Sequence, residues 1–200
     1  MNKIILAMMA IVFIFTSCNK SVKCPPQEII VECAREIDVV KVKATIQFMQ
    51  NPNDDCPWTL YEIASCKYQN DKFELTELNI PKTVQDEYLS SIPENEINVV
   101  SDIEAKTASL DIKAYNISGN YIGKLYLSCD NWNANYRYAD RSFSKKGSIN
   151  VGTNSVEEYD CSYEEGWNIE YISYGQNMKI TTQKPLNEDF KWHFRNICPD

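Results

Sequence analysis

The chain has 200 residues, 28 of them acidic against 20 basic, and a formal net charge of −8. An acidic chain without a long run of Lys and Arg is a poor nucleic-acid ligand, because phosphate contacts need clustered cations. The length suits one domain, or two small ones, with enough chain for a real core. An aromatic content of 12%, with 12 tyrosines, leans toward β-structure, whose pleated surface accommodates such side chains.

Met1, Asn2 and Lys3 precede an apolar stretch, Ile4 to Phe15. A membrane-spanning helix needs about 20 residues, so this stretch reads as the core of a signal peptide. Thr16, Ser17 and Cys18 follow it directly. The arrangement resembles a bacterial lipoprotein signal, with Phe15 where Leu is usual. The resemblance implies cleavage before Cys18 and acylation of its thiol. One acyl chain binds a membrane only marginally, while each further buried CH₂ adds roughly 0.8 kcal/mol, so a multiply acylated Cys18 anchors the protein firmly. Residues 1–17 are then the signal peptide, 18–36 a lipidated tether stiffened by Pro25 and Pro26, and 37–200 the folded domain. Losing the signal removes one lysine, Lys3, and makes the chain one unit more negative. In Bacteroidetes-type lipoproteins, acidic residues after the cysteine resemble a surface-export signal. Here Asn19, Lys20, Ser21, Val22 and Lys23 follow, which favours the periplasmic face of the outer membrane over the cell surface.

Val40, Val42, Ala44, Ile46 and Phe48 alternate with polar residues, the period of a strand with one dry face. Asn51 to Asp55 is turn-rich. Thr59–Tyr68 and Lys72–Leu78 predict a hairpin. Val84, Tyr88, Leu89 and Ile92 have helical spacing, so Thr83–Ile92 predicts a short helix capped by Thr83. Ala108, Leu110, Ile112 and Ala114 form the clearest alternation, and Ser118, Gly119 and Asn120 turn the chain into a strand over Tyr121–Cys129. Further strands are expected at Tyr136–Phe143, Gly147–Gly152, Val156–Tyr163, Trp167–Tyr174, Asn177–Thr182 and Phe190–Arg195. Many short strands with little helix indicate an all-β fold: an antiparallel sandwich, immunoglobulin-like or transthyretin-like, with two small subdomains or a lipocalin-like barrel as alternatives.

Besides Cys18 there are seven cysteines: Cys24, Cys33, Cys56, Cys66, Cys129, Cys161 and Cys198. The periplasm is oxidising, so disulfides are expected, and an odd count leaves one thiol over. The sequence has no C-x-x-C and a single histidine, His193, which disfavours structural zinc. Cys129 and Cys161 each close a predicted strand, and a bridge between them is the expected pair. Cys56–Cys66 is disfavoured because an extended Thr59–Cys66 outruns the reach of a disulfide. Cys198 is left to pair with Cys24 or Cys33.

Few constellations carry chemistry. Glu36 and Asp38 resemble the start of the carboxylate strand of jelly-roll β-glucanases, but the third acid is missing and the position is wrong, so a solvated strand edge is the better reading. His193 falls on the wet face of its strand, leaving no positioned base for a Ser or Cys nucleophile. Asp130, Asn131, Asn133 and Asn135 loosely resemble a calcium loop without its Gly and terminal Glu. No metal or cofactor is expected. Trp132, Tyr136, Arg137 and Tyr138 combine stacking rings with hydrogen-bonding groups and form the candidate ligand-binding loop, although the same residues suit the covering of a sheet edge. The tyrosines at 159, 163, 171 and 174, with Trp167, read as cross-strand packing.

The blocks Asn116–Gly123, Gly166–Tyr171 and Lys191–Phe194 resemble a group of small Bacteroidetes lipoproteins. The resemblance implies an anchored β-rich domain and brings no catalytic residue with it. The expected function is a non-catalytic envelope module that binds a protein or glycan partner and no nucleic acid. A small glycan- or peptidoglycan-directed hydrolase using paired carboxylates is the alternative.

Overall fold

The computed structural model describes residues 29–31, 39–49, 58–69, 73–75, 78, 80, 88–152, 155–175 and 177–196. Cys18, Cys24, Cys33, Glu36, Asp38, Cys56, Thr83 and Cys198 lie outside them. The protein is all-β. Its strands are β1 (Ile29–Val31), β2 (Lys41–Met49), β3 (Trp58–Lys67), β4 (Ser90–Ser91), β5 (Lys106–Tyr115), β6 (Tyr121–Cys129), β7 (Trp132–Ala139), β8 (Phe143–Val151), β9 (Ser155–Tyr163), β10 (Gly166–Ser173), β11 (Asn177–Thr181) and β12 (Lys191–Asn196). A 3₁₀ helix spans Glu94–Val99. Within the predicted helix, Ser90 and Ser91 are instead extended and pair with Thr107 and Lys106.

The strands form one open sheet in the order β1-β12-β6-β5-β7-β10-β11-β9-β8, with β2, β3 and β4 branching from β5. Among the described residues it does not close on itself, so it is not the barrel of the alternative reading. Pairings are antiparallel except β1–β12 and β9–β11. Ile29–Val31, inside the segment expected to be tether, therefore forms a strand beside β12.

Alternation divides the side chains between two faces. On one, Val42, Ala44, Ile112, Ala114, Leu125, Trp192 and Phe194 pack with Phe73, Leu75 and Leu78. Side chains from both sides of the branch meet there, as the two layers of a sandwich do. Trp167 secures the cover by donating its Nε1–H to the Leu78 carbonyl at 2.5 Å. A second core of Ala139, Phe143, Tyr159, Cys161, Tyr163, Ile172 and Ile180 lies on the opposite face toward β8. That second core holds a polar centre. Arg137 donates through Nε and Nη2 to Glu170 at 3.1 and 3.0 Å, and the Tyr163 hydroxyl donates to the same carboxylate at 2.6 Å. Lys145 forms an ion pair with Glu96 at 2.5 Å and lies 3.6 Å over the Tyr159 ring, pinning the 3₁₀ helix onto β8.

Candidate functional site

The branching of the sheet creates an opening. β5 pairs with β7 through Thr107, Ala108 and Ser109, then with β6 from Ile112 onward. β6 in turn leaves β5 after Leu125 and meets β7 at Leu127. The three strands thus diverge between Ser109 and Ile112, Leu125 and Leu127, and Ala134 and Arg137. A cleft of about 400 Å³ occupies this junction.

Its chemistry follows from the pleat. Leu110, Ile112, Leu125, Leu127, Ala134 and Trp192 share the core-facing register and form an apolar floor with Tyr136. Asp111, Lys124, Tyr126, Asn133, Asn135 and Arg195 belong to the outward register and form the rim. Asp111 receives a bond from Lys124 Nζ at 3.2 Å. The Arg195 guanidinium lies 4.9 Å over the Tyr126 ring, and His193 stacks with that ring at 5.4 Å and 22°. Tyr121, at the mouth, has its phenol pushed up by burial first and then by the Asp111 charge. The lysine beside the rim, Lys113, is held below the usual range, chiefly by burial, with Lys124 adding repulsion and Asp111 opposing both. An apolar floor with a few convergent polar groups is the general form of a small-ligand site.

The structure redistributes the residues expected to bind a ligand. The segment around Trp132 is a strand. Cys129 faces Trp132 across the two-residue turn of Asp130 and Asn131, with Asp130 in the left-handed region at φ 44°, which Asp tolerates better than most residues. Of the four candidates only Tyr136 lines the cleft, and it is buried in its floor, stacked 6.4 Å from Trp192. Tyr138 is buried edge-on against Trp167. Arg137 is committed to Glu170. Trp132 is half-buried, in register with Ser173. These rings cover core rather than present a loop, because period-2 alternation sends Tyr136 and Tyr138 inward. Asn133 and Asn135, considered only as cation ligands, instead face the cleft.

Cys129 and Cys161 are not bonded to each other. Both are free thiols, on strands far apart in the sheet order. Cys161 is fully buried and donates to the Ile180 carbonyl at 3.4 Å, and burial pushes its thiol up. Cys129 donates to Glu188 at 2.9 Å, a bond that keeps its proton on. Asp130 joins this pair, with ligand atoms all within 4.8 Å. A soft cation would use these groups only after displacing the proton that Cys129 shares with the Glu188 carboxylate.

Asp111, Tyr121, Lys124, Tyr126 and Arg195 were not singled out from the sequence. Alternation does place Asp111 on a wet face and puts Tyr126 between the dry Leu125 and Leu127, but nothing local shows that these positions converge. No family model, curated protein or solved structure matches the chain.

Proposed function

We propose that this protein is a non-catalytic binding module, held at a membrane by lipid on Cys18, whose ligand occupies the junction cleft. The observation that carries this reading is the cleft itself: an apolar floor ringed by Tyr126, Asn133, Asn135, the Asp111–Lys124 pair and Arg195. A ring of Tyr with adjacent side-chain amides suits a saccharide, whose faces stack and whose hydroxyls accept and donate hydrogen bonds. A glycoside hydrolase needs two carboxylates flanking the scissile bond. Among the described residues lining the cleft the one carboxylate is Asp111, and Lys124 occupies it. This favours binding over hydrolysis. Placement on the periplasmic face of the outer membrane belongs to the same proposal and rests on the residues after Cys18.

The test uses the detergent-solubilised full-length protein against an immobilised glycan panel, with product analysis alongside. The parent is expected to retain at least one glycan without cleaving it, and Tyr126→Ala and Asn135→Ala to weaken retention while the melting temperature holds. Retention unchanged in both variants would remove the cleft as the site. Release of shortened saccharide would overturn the non-catalytic assignment.

A further inference from the structure

The strand registers align basic side chains in a row. Lys43 on β2 is directly opposite Lys113 on β5. Lys113 is opposite Lys124 on β6, and Lys124 is opposite Arg195 on β12. The four belong to one face of the sheet, and the row spans about 14 Å at the usual strand spacing. Like charges directly opposite each other destabilise a sheet. The chain has 28 acidic residues available, yet base faces base three times in succession. Among the described residues, two carboxylates answer the four cations: Glu62 meets Lys43 at 2.7 Å and Asp111 meets Lys124 at 3.2 Å. The remaining compensation is aromatic. Lys43 lies over Tyr115 at 4.9 Å, Lys113 over Tyr121 at 5.6 Å, and Arg195 over Tyr126 at 4.9 Å.

The row enters the cleft at one end, where Lys124 and Arg195 line it beside Tyr121 and Tyr126. We propose that the cleft's ligand is an acidic glycan, its carboxylates set on Lys124 and Arg195 and its sugar rings packed against Tyr121 and Tyr126. The inference rests on the cleft being the binding site. An anion supplies the counter-charge that the row lacks, so binding removes a repulsion already present in the unliganded sheet. The guanidinium of Arg195 can hold a carboxylate by two parallel bonds, and the ammonium of Lys124 adds a point charge. The rest of the surface selects for modest charge density. The protein is net negative, so a nucleic-acid strand reaching past the row would meet acidic surface, whereas a saccharide with one carboxylate per ring keeps its charges on the cations.

The experiment measures binding of four probes to the solubilised full-length protein: an alginate oligomer (a polyuronate), dextran, poly-glutamate and an oligothymidylate. The parent is compared with Lys124→Gln, Arg195→Gln, the conservative Lys124→Arg, and Lys146→Gln, an equal change of charge on β8. Alginate is expected to bind best and to weaken with added salt. Lys124→Gln and Arg195→Gln should each weaken it roughly tenfold, the loss of one charge-assisted contact apiece. Lys124→Arg, which keeps the charge, should lose less than Lys124→Gln, and Lys146→Gln, away from the row, should remain near the parent. Dextran bound as tightly as alginate, in parent and variants alike, would overturn the acidic-glycan inference while leaving the cleft in place. Poly-glutamate or oligothymidylate bound as tightly as alginate would overturn the saccharide specificity. Failure of every probe to bind would overturn the cleft reading as well.

Discussion

Glu170 accepts three hydrogen bonds in the second core, two from Arg137 and one from Tyr163. A buried carboxylate so fully satisfied is a fixed part of the structure, and removing its charge strands the guanidinium. Glu170→Gln is therefore expected to cost about 3 kcal/mol, the lower end for a broken buried pair, because Arg137 keeps 30% side-chain exposure. Urea unfolding measures it. The same site sets an alkaline limit. Burial first, and then the Glu170 charge, hold the Tyr163 phenol far above its ordinary value of 10.0. A group whose folded value is raised contributes stability that is intact below the unfolded value and lost above it. Stability should hold to about pH 10 and then fall. Absorbance titration should show the Tyr163 phenol ionising only as the protein unfolds; ionisation with the fold intact would contradict the burial described. The thiols offer a third check. Cys161 should resist alkylation until denaturant is added, and non-reducing peptide maps should show no Cys129–Cys161 bridge.

Among the strands, β6 carries the tightest constraint. A Cβ on Gly123 would meet the Arg195 carbonyl oxygen and come within 2.8 Å of the Phe194 ring on β12. Gly123→Ala should cost about 1–3 kcal/mol, as overpacking does, and should weaken ligand binding by displacing Arg195. A melting temperature equal to the parent's would contradict this packing. The alternation of Ala108, Leu110, Ile112 and Ala114 was legible because both neighbours of β5 bury one face. β7 was legible only from Tyr136. Its first half reads Trp132, Asn133, Ala134, Asn135, and asparagine disfavours strands; the asparagines are tolerated because they face the cleft instead of apolar neighbours. The expected Thr83–Ile92 helix fails at its end because Ser90 and Ser91 take up backbone bonds to β5, a tertiary contact that spacing alone does not encode.

At the scale of the molecule, the cleft exists because one sheet branches, and branching is a long-range property. Lys43, Lys113, Lys124 and Arg195 are spread over most of the sequence and become a row only through three registers. No local motif announces them, so the fold class was readable from the chain while the site was not. The proposed anchor has its own check: Cys18→Ser should move the protein from the membrane to the soluble fraction, and unchanged partitioning would rule the anchor out.

The parallel strand β1 sets a leash. Ile29 stands eleven positions after Cys18, and even fully extended that chain spans at most about 40 Å. β1 lies against β12, which supplies Trp192 and Arg195 to the cleft. With lipid on Cys18, the cleft is confined to a shallow layer next to the bilayer. The protein could then sample only what lies at or drifts along the membrane surface, and lengthening the segment between Cys18 and Ile29 would widen that layer without touching the site.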